Sequence, residues 1–313
     1  MDKKQAGGYI FESIIAKLIS RSGYVSVRKG SLKGRGAFHQ IDAIGVLGIP
    51  TPFVYPIRLL SEAKHYTTSK VELADIRNYV GVIKDISENY FVNGPKDRGK
   101  KRYSDIGCFF SIGPYRASAQ NYAWAHNIFI ISFSMIDKMN RVSKDISGFV
   151  SVSKNIRGTI EEIVDKFWKL KGRSYLVDDI LLVGVLNSSY PVVLSAKKSL
   201  LPKIISDLKG NDIMIAGKTT RRGSPEDAET IFNIRMGQID EDIKLTLPDV
   251  IAWRLINKID SSDEGDKVFE IDIPIIKQDK STLYRRILKL DVRLGSQSNR
   301  KEYLSALENS AIN

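Results

Sequence analysis

The sequence predicts an α/β protein: a layered N-terminal domain over residues 1–145, a connecting segment over 146–170 and a second, α+β domain over 171–313. Three observations carry this reading. The chain opens on a helical apolar stripe. Helix-type and strand-type patterns then alternate as helix, strand, strand, strand, helix, strand, helix, strand. The last of these, residues 128–133, is apolar at every position but Ser132, the kind of run buried on both faces of a parallel or mixed sheet.

Each element has its own local reason. Phe11, Ile14, Ile15, Leu18 and Ile19 recur at i, i+3, i+4, i+7 and i+8, one face of a helix, and Gly23 is placed to stop it. Residues 24–27 read as a short strand. Residues 30–36, Gly-Ser-Leu-Lys-Gly-Arg-Gly, read as a basic glycine loop, and residues 40–46 as a strand. Pro50, Pro52 and Pro56 mark a connection into a strand over 57–64. Ser69 with Glu72 has capping-box spacing, and Val71, Leu73, Ile76, Val80 and Ile83 give the following helix its apolar side. Residues 94–105 form a basic loop, 106–111 a strand, and 116–126 a small-residue helix before the last strand.

The second half has a different texture. Residues 175–186 and 191–196 flank Asn187-Ser188-Ser189-Tyr190 as a hairpin. Residues 213–217, 231–236, 243–247 and 268–276 are strand-like, and 201–208 and 249–258 suit helices.

Composition bounds the function. Hydrophobic residues make up 42% of the 313 and charged residues 27%, a folded, globular balance. The apolar run over 180–186, seven residues with its glycine, is far short of the roughly 20 residues of a membrane span. The start lacks the apolar core of a secretory signal, and one cysteine, Cys108, excludes an internal disulfide and a cysteine-cluster zinc site. A cytoplasmic protein without membrane association is expected. The net charge is +12, from 48 Lys+Arg against 36 Asp+Glu. Residues 1–150 hold 22 and 12 of these, and residues 151–313 hold 26 and 24. A charge kept for solubility has no reason to collect in one half, so the N-terminal half is expected to face a polyanion, by default nucleic acid.

The middle strands of that half carry Gln40-Ile41-Asp42 and Ser61-Glu62-Ala63-Lys64. Alternation puts Glu62 and Lys64 on one face, and a hairpin brings Asp42 beside them. Two neighbouring carboxylates repel unless a cation neutralises them. Mg²⁺ favours such a pair, completed by waters, phosphate oxygens and here the Ala63 carbonyl. Lys64 would then hold or deprotonate the attacking water, or steady charge developing on phosphorus.

The pattern Asp42 … Glu62-Ala63-Lys64 resembles the PD-(D/E)xK nuclease superfamily, most closely its Mrr-like restriction endonuclease branch and the Holliday-junction resolvases. The flanks are similar as well: Glu12 in the first helix, Gly34-Arg35-Gly36, Gln40-Ile41-Asp42, and the alanine-rich helix followed by Ile128-Phe129-Ile130-Ile131. The likeness spans about residues 7–135. It implies a restriction-endonuclease-like core, a mixed sheet flanked by helices, and a Mg²⁺-dependent DNA endonuclease with Mn²⁺ as a substitute. It implies Asp42, Glu62 and Lys64 as catalytic residues, Glu12, Asp42 and Glu62 as metal ligands, and Gln40 behind them. By analogy it suggests restriction or anti-phage defence. Ile41 stands before Asp42 where proline is common in the family.

Simpler roles are open for these residues. Glu12 sits at the edge of the apolar stripe, where glutamates are usually solvated, and only the resemblance makes it a ligand. Glu62 and Lys64 could be a same-face salt bridge. Gln40 could be a strand-surface amide. Asp42 among Ile41, Ala43 and Ile44 is harder to dismiss, because a carboxylate in an apolar strand is costly without a partner. Lys29, Lys33, Arg35, Lys96, Arg98, Lys100, Lys101 and Arg102 are candidates for DNA phosphates. His39 and His65 are expected at the surface or core rim, His126 as a favourable residue at a helix C-terminus, and Cys108 in the core. Gly217-Lys218-Thr219 looks like the end of a P-loop, but Asp212 stands where that loop needs glycine.

Cutting both DNA strands takes two active sites, so a homodimer is expected, with the second domain serving specificity, dimerisation or a partner subunit. The alternatives are a catalytically inactive DNA-binding or assembly module on the same fold, and a nuclease acting on RNA.

Overall fold

Gly23, with φ at 90°, stands just past the first helix, in the left-handed conformation that glycine adopts without strain. The helix, α1 (Lys3–Arg21), is capped at its start by Asp2, whose carboxylate accepts from the Lys4 N–H at 3.2 Å. It buries Ile10, Phe11, Ile14, Ile15 and Ile19, each removal from water contributing roughly 1.5–3 kcal/mol. The chain is represented by a computed structural model. It describes residues 1–48, 53–67, 69–89, 102–134, 136, 139–172 and 175–176, and beyond them the backbone of eight strands between 179 and 294. Two compact units result, the first built mainly from Met1–Ser134 and Arg141–Lys171.

In the first unit α1 leads into β1 (Tyr24–Lys33), β2 (Phe38–Leu47), β3 (Ile57–Lys64), α2 (Leu73–Ser87), β4 (Ser104–Ser111), α3 (Ala117–Ala125) and β5 (Ile128–Ser132). This is the order of elements expected from the sequence. The strands form one mixed sheet in chain order: β1, β2 and β3 run antiparallel, and β3, β4 and β5 parallel. The class is therefore α/β.

Two helical layers cover the sheet. The α2 and α3 side buries Ile41, Ile44, Leu60 and Phe109 against Ile76, Tyr79, Val80, Ala119 and Ala123. On the other face α1 comes so close that a Cβ on Gly45 would lie 3.1 Å from the Ile19 side chain. Two buried tyrosines stitch the parallel strands. The Tyr79 hydroxyl donates to the Leu60 carbonyl and accepts from the Cys108 N–H at 3.0 Å, while the Tyr115 hydroxyl donates to the Phe109 carbonyl at 2.7 Å.

Several sequence expectations need correction. The strand predicted over 24–27 continues to Lys33, because residues 30–33 pair with 38–41 of β2, and the glycine loop shrinks to residues 34–37. The second helix starts at Leu73, not near Ser69: the Asp75 carboxylate accepts from the Glu72 N–H at 3.0 Å, one turn after the predicted cap. The run over 128–133 is an edge strand. Among the described residues β5 pairs only with β4, and Phe129 and Ile130 are half-buried. Residues 140–160, expected as a polar connection or a surface helix, begin with a helix, α4 (Arg141–Ser151), and the predicted domain end at 145 and connection over 146–170 give way to it and to α5 (Ile160–Lys171). Both pack on α1 through Val142, Ile146, Phe149, Ile163 and Phe167, an apolar side concealed by their charged outer residues.

In the second unit β6 (Asp179–Leu186) and β7 (Pro191–Lys197) form the predicted hairpin. They join β8 (Asp212–Ile215), β9 (Thr220–Arg222), β10 (Glu229–Met236), β11 (Ile239–Pro248), β12 (Lys267–Asp279) and β13 (Thr282–Leu294) in an eight-stranded sheet. The predicted helices at 201–208 and 249–258 and the P-loop-like 217–219 lie outside the described residues. Among the described residues no helix is long and apolar enough to cross a membrane.

Candidate functional site

Asp42 occupies a β-bulge. Gly30 pairs with Ile41 and Arg28 with Ile44, so Lys29 alone stands opposite both Asp42 and Ala43. The extra residue lets Ile41 and Ile44 face the same core, where strict alternation would separate them. It also re-aims Asp42. The β2–β3 ladder is paired up to Ala43 and Ser61; just beyond it the Asp42 carboxylate accepts from the Ala63 N–H at 2.9 Å. A side chain thus takes the place of a ladder bond where the two strands part.

Around Asp42 lie two ion pairs. Glu62 meets Lys64 at 2.6 Å, the same-face contact that alternation predicts. Glu12, from α1, is bonded to Lys29, whose ammonium also lies 4.7 Å from the centre of the Tyr9 ring. Sequence reasoning named Lys29 only as a phosphate candidate and missed Tyr9. Its position against Glu12 follows from the bulge, whose one trace in the sequence is the three-residue spacing of Ile41 and Ile44.

The electrostatics are those of a crowded acidic site. Burial raises the Glu12 pKa above its ordinary 4.5, with Asp42 and Glu62 adding to it against the Lys29 bond. Burial likewise raises Asp42 above 3.8, opposed by the Ala63 N–H and the two lysines, and raises Glu62 above 4.5, with Asp42 the next cause. Burial pulls the Lys64 ammonium down, but Glu62, Tyr66 and Asp42 outweigh it and leave it above 10.5, a cation at neutral pH. Three carboxylates therefore share two lysines, an excess of one negative charge presented on hard oxygen donors, which suits Mg²⁺ or Mn²⁺. Among the described residues, however, no group of three His, Cys, Asp or Glu stands in metal-holding geometry. Glu12, Asp42 and Glu62 are neighbours held by their own partners, not a preformed three-ligand cage.

The other candidates divide by position. Gln40 is exposed, opposite Ser31 and two residues from Asp42. Lys33 and Arg35 lie on the β1–β2 hairpin beyond Asp42, at the end of the sheet where β3 finishes with Lys64; both are exposed, and Arg35 is 3.8 Å from Glu88. Arg102 lies at the opposite end. It precedes Ser104, five strand steps, or about 16 Å, from Phe109, the partner of Glu62. There it approaches the Tyr55 ring at 6.0 Å. Arg102 thus does not share a surface with the carboxylates, because β3 and β4 are parallel and their starts lie away from their ends. Lys96, Arg98, Lys100 and Lys101 lie outside the described residues.

The histidines and the cysteine have structural places. His39 bonds Asp85 at 2.7 Å. His65 is half-buried beside Phe11 and so close to Gly7 that a Cβ there would lie 2.8 Å from its ring; burial lowers its pKa, which suits a neutral residue at the core rim. His126 caps α3 and packs on Tyr122 at 4.3 Å. Cys108 is fully buried and burial raises its pKa, as expected of a core thiol.

No family model and no curated protein matches the chain. Among solved structures, it is similar to the crystal structure of a protein of unknown function at 15% identity and a TM-score of 0.35, over 54% of this chain and 86% of that one.

Proposed function

We propose that the chain is a Mg²⁺-dependent DNA endonuclease of PD-(D/E)xK type, with Mn²⁺ as a substitute. The observation that supports this most is the meeting of Asp42, Glu62 and Lys64 where β2 and β3 part, with Glu12 adjacent and the site charged in excess of its lysines. Asp42 and Glu62 would hold the ion, with Glu12, paired with Lys29, the further carboxylate of the site. The ion supplies Lewis-acid activation of a phosphate and its water. Lys64, already a cation, steadies the charge that develops on the phosphoryl oxygens. The basic N-terminal half grips the backbone. A homodimer supplies the second active site, the second unit supplies target choice or a partner contact, and restriction or anti-phage defence is the setting. Supercoiled plasmid with Mg²⁺ or Mn²⁺ tests this beside Asp42→Ala and Lys64→Ala; cleavage that survives both substitutions removes the assignment.

A second reading has its own support. Lys29 and Lys64 already pair two of the three carboxylates, as they would in an inactive DNA-binding or assembly module. Calorimetric titration with Mg²⁺ or Mn²⁺ separates the two: the module binds DNA in a salt-sensitive way and takes up no metal. RNA offered beside DNA in the same cleavage assay separates the ribonuclease reading.

A further inference from the structure

The tip of the β1–β2 hairpin combines firm anchoring with an exposed aromatic ring. Five hydrogen bonds tie it to the end of α2. The Asp85 carboxylate accepts from the Gly36 N–H at 2.8 Å and the Ala37 N–H at 3.2 Å, and bonds His39 at 2.7 Å. The Asp85 carbonyl accepts from the Arg35 N–H at 2.9 Å, and the Asn89 amide donates to the Lys33 carbonyl at 2.9 Å. Gly34 completes the fit: a Cβ there would lie 1.9 Å from Asp85 Oδ2. Yet Phe38, in the middle of this anchorage, is 73% exposed. Hydrophobic burial does not account for a phenylalanine held out on a fixed loop.

Its surroundings select one kind of partner. Residues 22–41 carry Arg28, Lys29, Lys33 and Arg35 and no carboxylate, although Glu12 of α1 pairs with Lys29, Glu88 of α2 stands beside Arg35 and Asp85 lies beneath the loop. An aromatic platform between exposed cations fits a base and its flanking phosphates. Phe38 lies four strand steps from Asp42, about 13 Å, or about four nucleotides at the 3.4 Å rise of one strand.

We infer that this tip is a base-stacking finger: Phe38 stacks on an unpaired base about four nucleotides from the phosphate at Asp42, while Lys33 and Arg35 hold the phosphates around it. The inference deepens the nuclease reading and rests on it for that distance. It names the substrate class as DNA with unpaired nucleotides, such as a flap, bubble or junction, in preference to continuous duplex.

The test is fluorescence anisotropy on the full chain without divalent metal, using a labelled single-strand flap DNA and a blunt duplex of the same sequence. Phe38→Ala should weaken flap binding about 5- to 150-fold, the range of one lost base stack, and leave duplex binding within twofold. Phe38→Trp should restore it and show indole quenching on flap DNA alone. Equal binding by wild type and Phe38→Ala, equal losses on both DNAs, or a larger effect on single-stranded RNA would each overturn the assignment. Cleavage is scored separately. If the finger behaves as stated and wild type never cuts, the nuclease reading fails while the finger stands. If wild type cuts and Phe38→Ala matches it throughout, the finger fails alone.

Discussion

Asp42 does two things at once, and substitutions separate them. Its carboxylate accepts the Ala63 N–H at the point where the ladder opens, and it contributes charge to the acidic site. Asp42→Ala should leave that N–H unmet and cost about 1–3 kcal/mol. Asp42→Asn keeps an acceptor oxygen and drops the charge, so without metal it should unfold in urea no more easily than wild type, while both variants lose divalent-metal binding. The charge has a pH signature. A carboxylate whose folded pKa is raised favours folding below its ordinary value, and that contribution is lost as pH rises through the raised one. Glu12, Asp42 and Glu62 all shift this way, so at neutral pH the metal-free site opposes folding, and a divalent cation should relieve it. Thermal melts should show Mg²⁺ stabilising the protein at pH 7 and progressively less as pH falls through the raised values, where protons compete. Stabilisation independent of pH would place the ion elsewhere. Asp42, Glu62 and Lys64 were legible in the sequence because period-two alternation and an acid among apolar residues are strong local signals. Lys29 and Tyr9 were not, since their places depend on a one-residue bulge that changes no residue type.

At the scale of elements, α2 is the support of the first unit. Its Tyr79 hydroxyl serves the Leu60 carbonyl and the Cys108 N–H, in adjoining parallel strands. Tyr79→Phe should cost about 1–3 kcal/mol in urea unfolding, because two buried backbone groups lose a partner while the ring still packs. Its Asp85 fixes the β1–β2 hairpin. The His39 bond first, then the Gly36 and Ala37 N–H groups, lower the Asp85 pKa, so this support is present above the ordinary 3.8 and lost as pH falls through the lowered value. Asp85→Asn should speed amide exchange at Gly36 and Ala37 at neutral pH, and unchanged exchange would show that the loop does not depend on Asp85. The elements themselves were largely readable, because α1, α2 and β3 obey their periods. The boundaries were less so. The glycines over 30–36 concealed the continuation of β1, whose pairing to β2 is non-local. A plausible serine cap hid a start set by Asp75. The charge on α4 and α5 looked like a connection, although a narrow apolar side is enough to dock each helix on α1.

For the whole molecule, charge and site coincide in one half. The carboxylates lie in residues 1–150, which hold an excess of ten cations, from 22 Lys+Arg against 12 Asp+Glu. Lys33 and Arg35 sit at the carboxylate end of the sheet and Arg102 at the other. The double variant Lys33→Ala with Arg35→Ala should therefore reduce the slope of log affinity against log salt by about two, one per phosphate contact, whereas Arg102→Ala should leave it nearly unchanged. Light scattering should show a dimer on DNA; a monomer with and without DNA would contradict paired active sites. Composition disclosed the uneven charge, but only the parallel pairing of β3 with β4 reveals which cations share an end with the acids. The most direct measurement is single-turnover cleavage of labelled DNA at saturating Mg²⁺, comparing wild type with Glu62→Gln, a near-isosteric change that removes one charge. The account predicts a rate at least about 100-fold lower with DNA affinity kept within twofold. Equal rates for the two proteins, or no cleavage by wild type with any divalent metal, would contradict it.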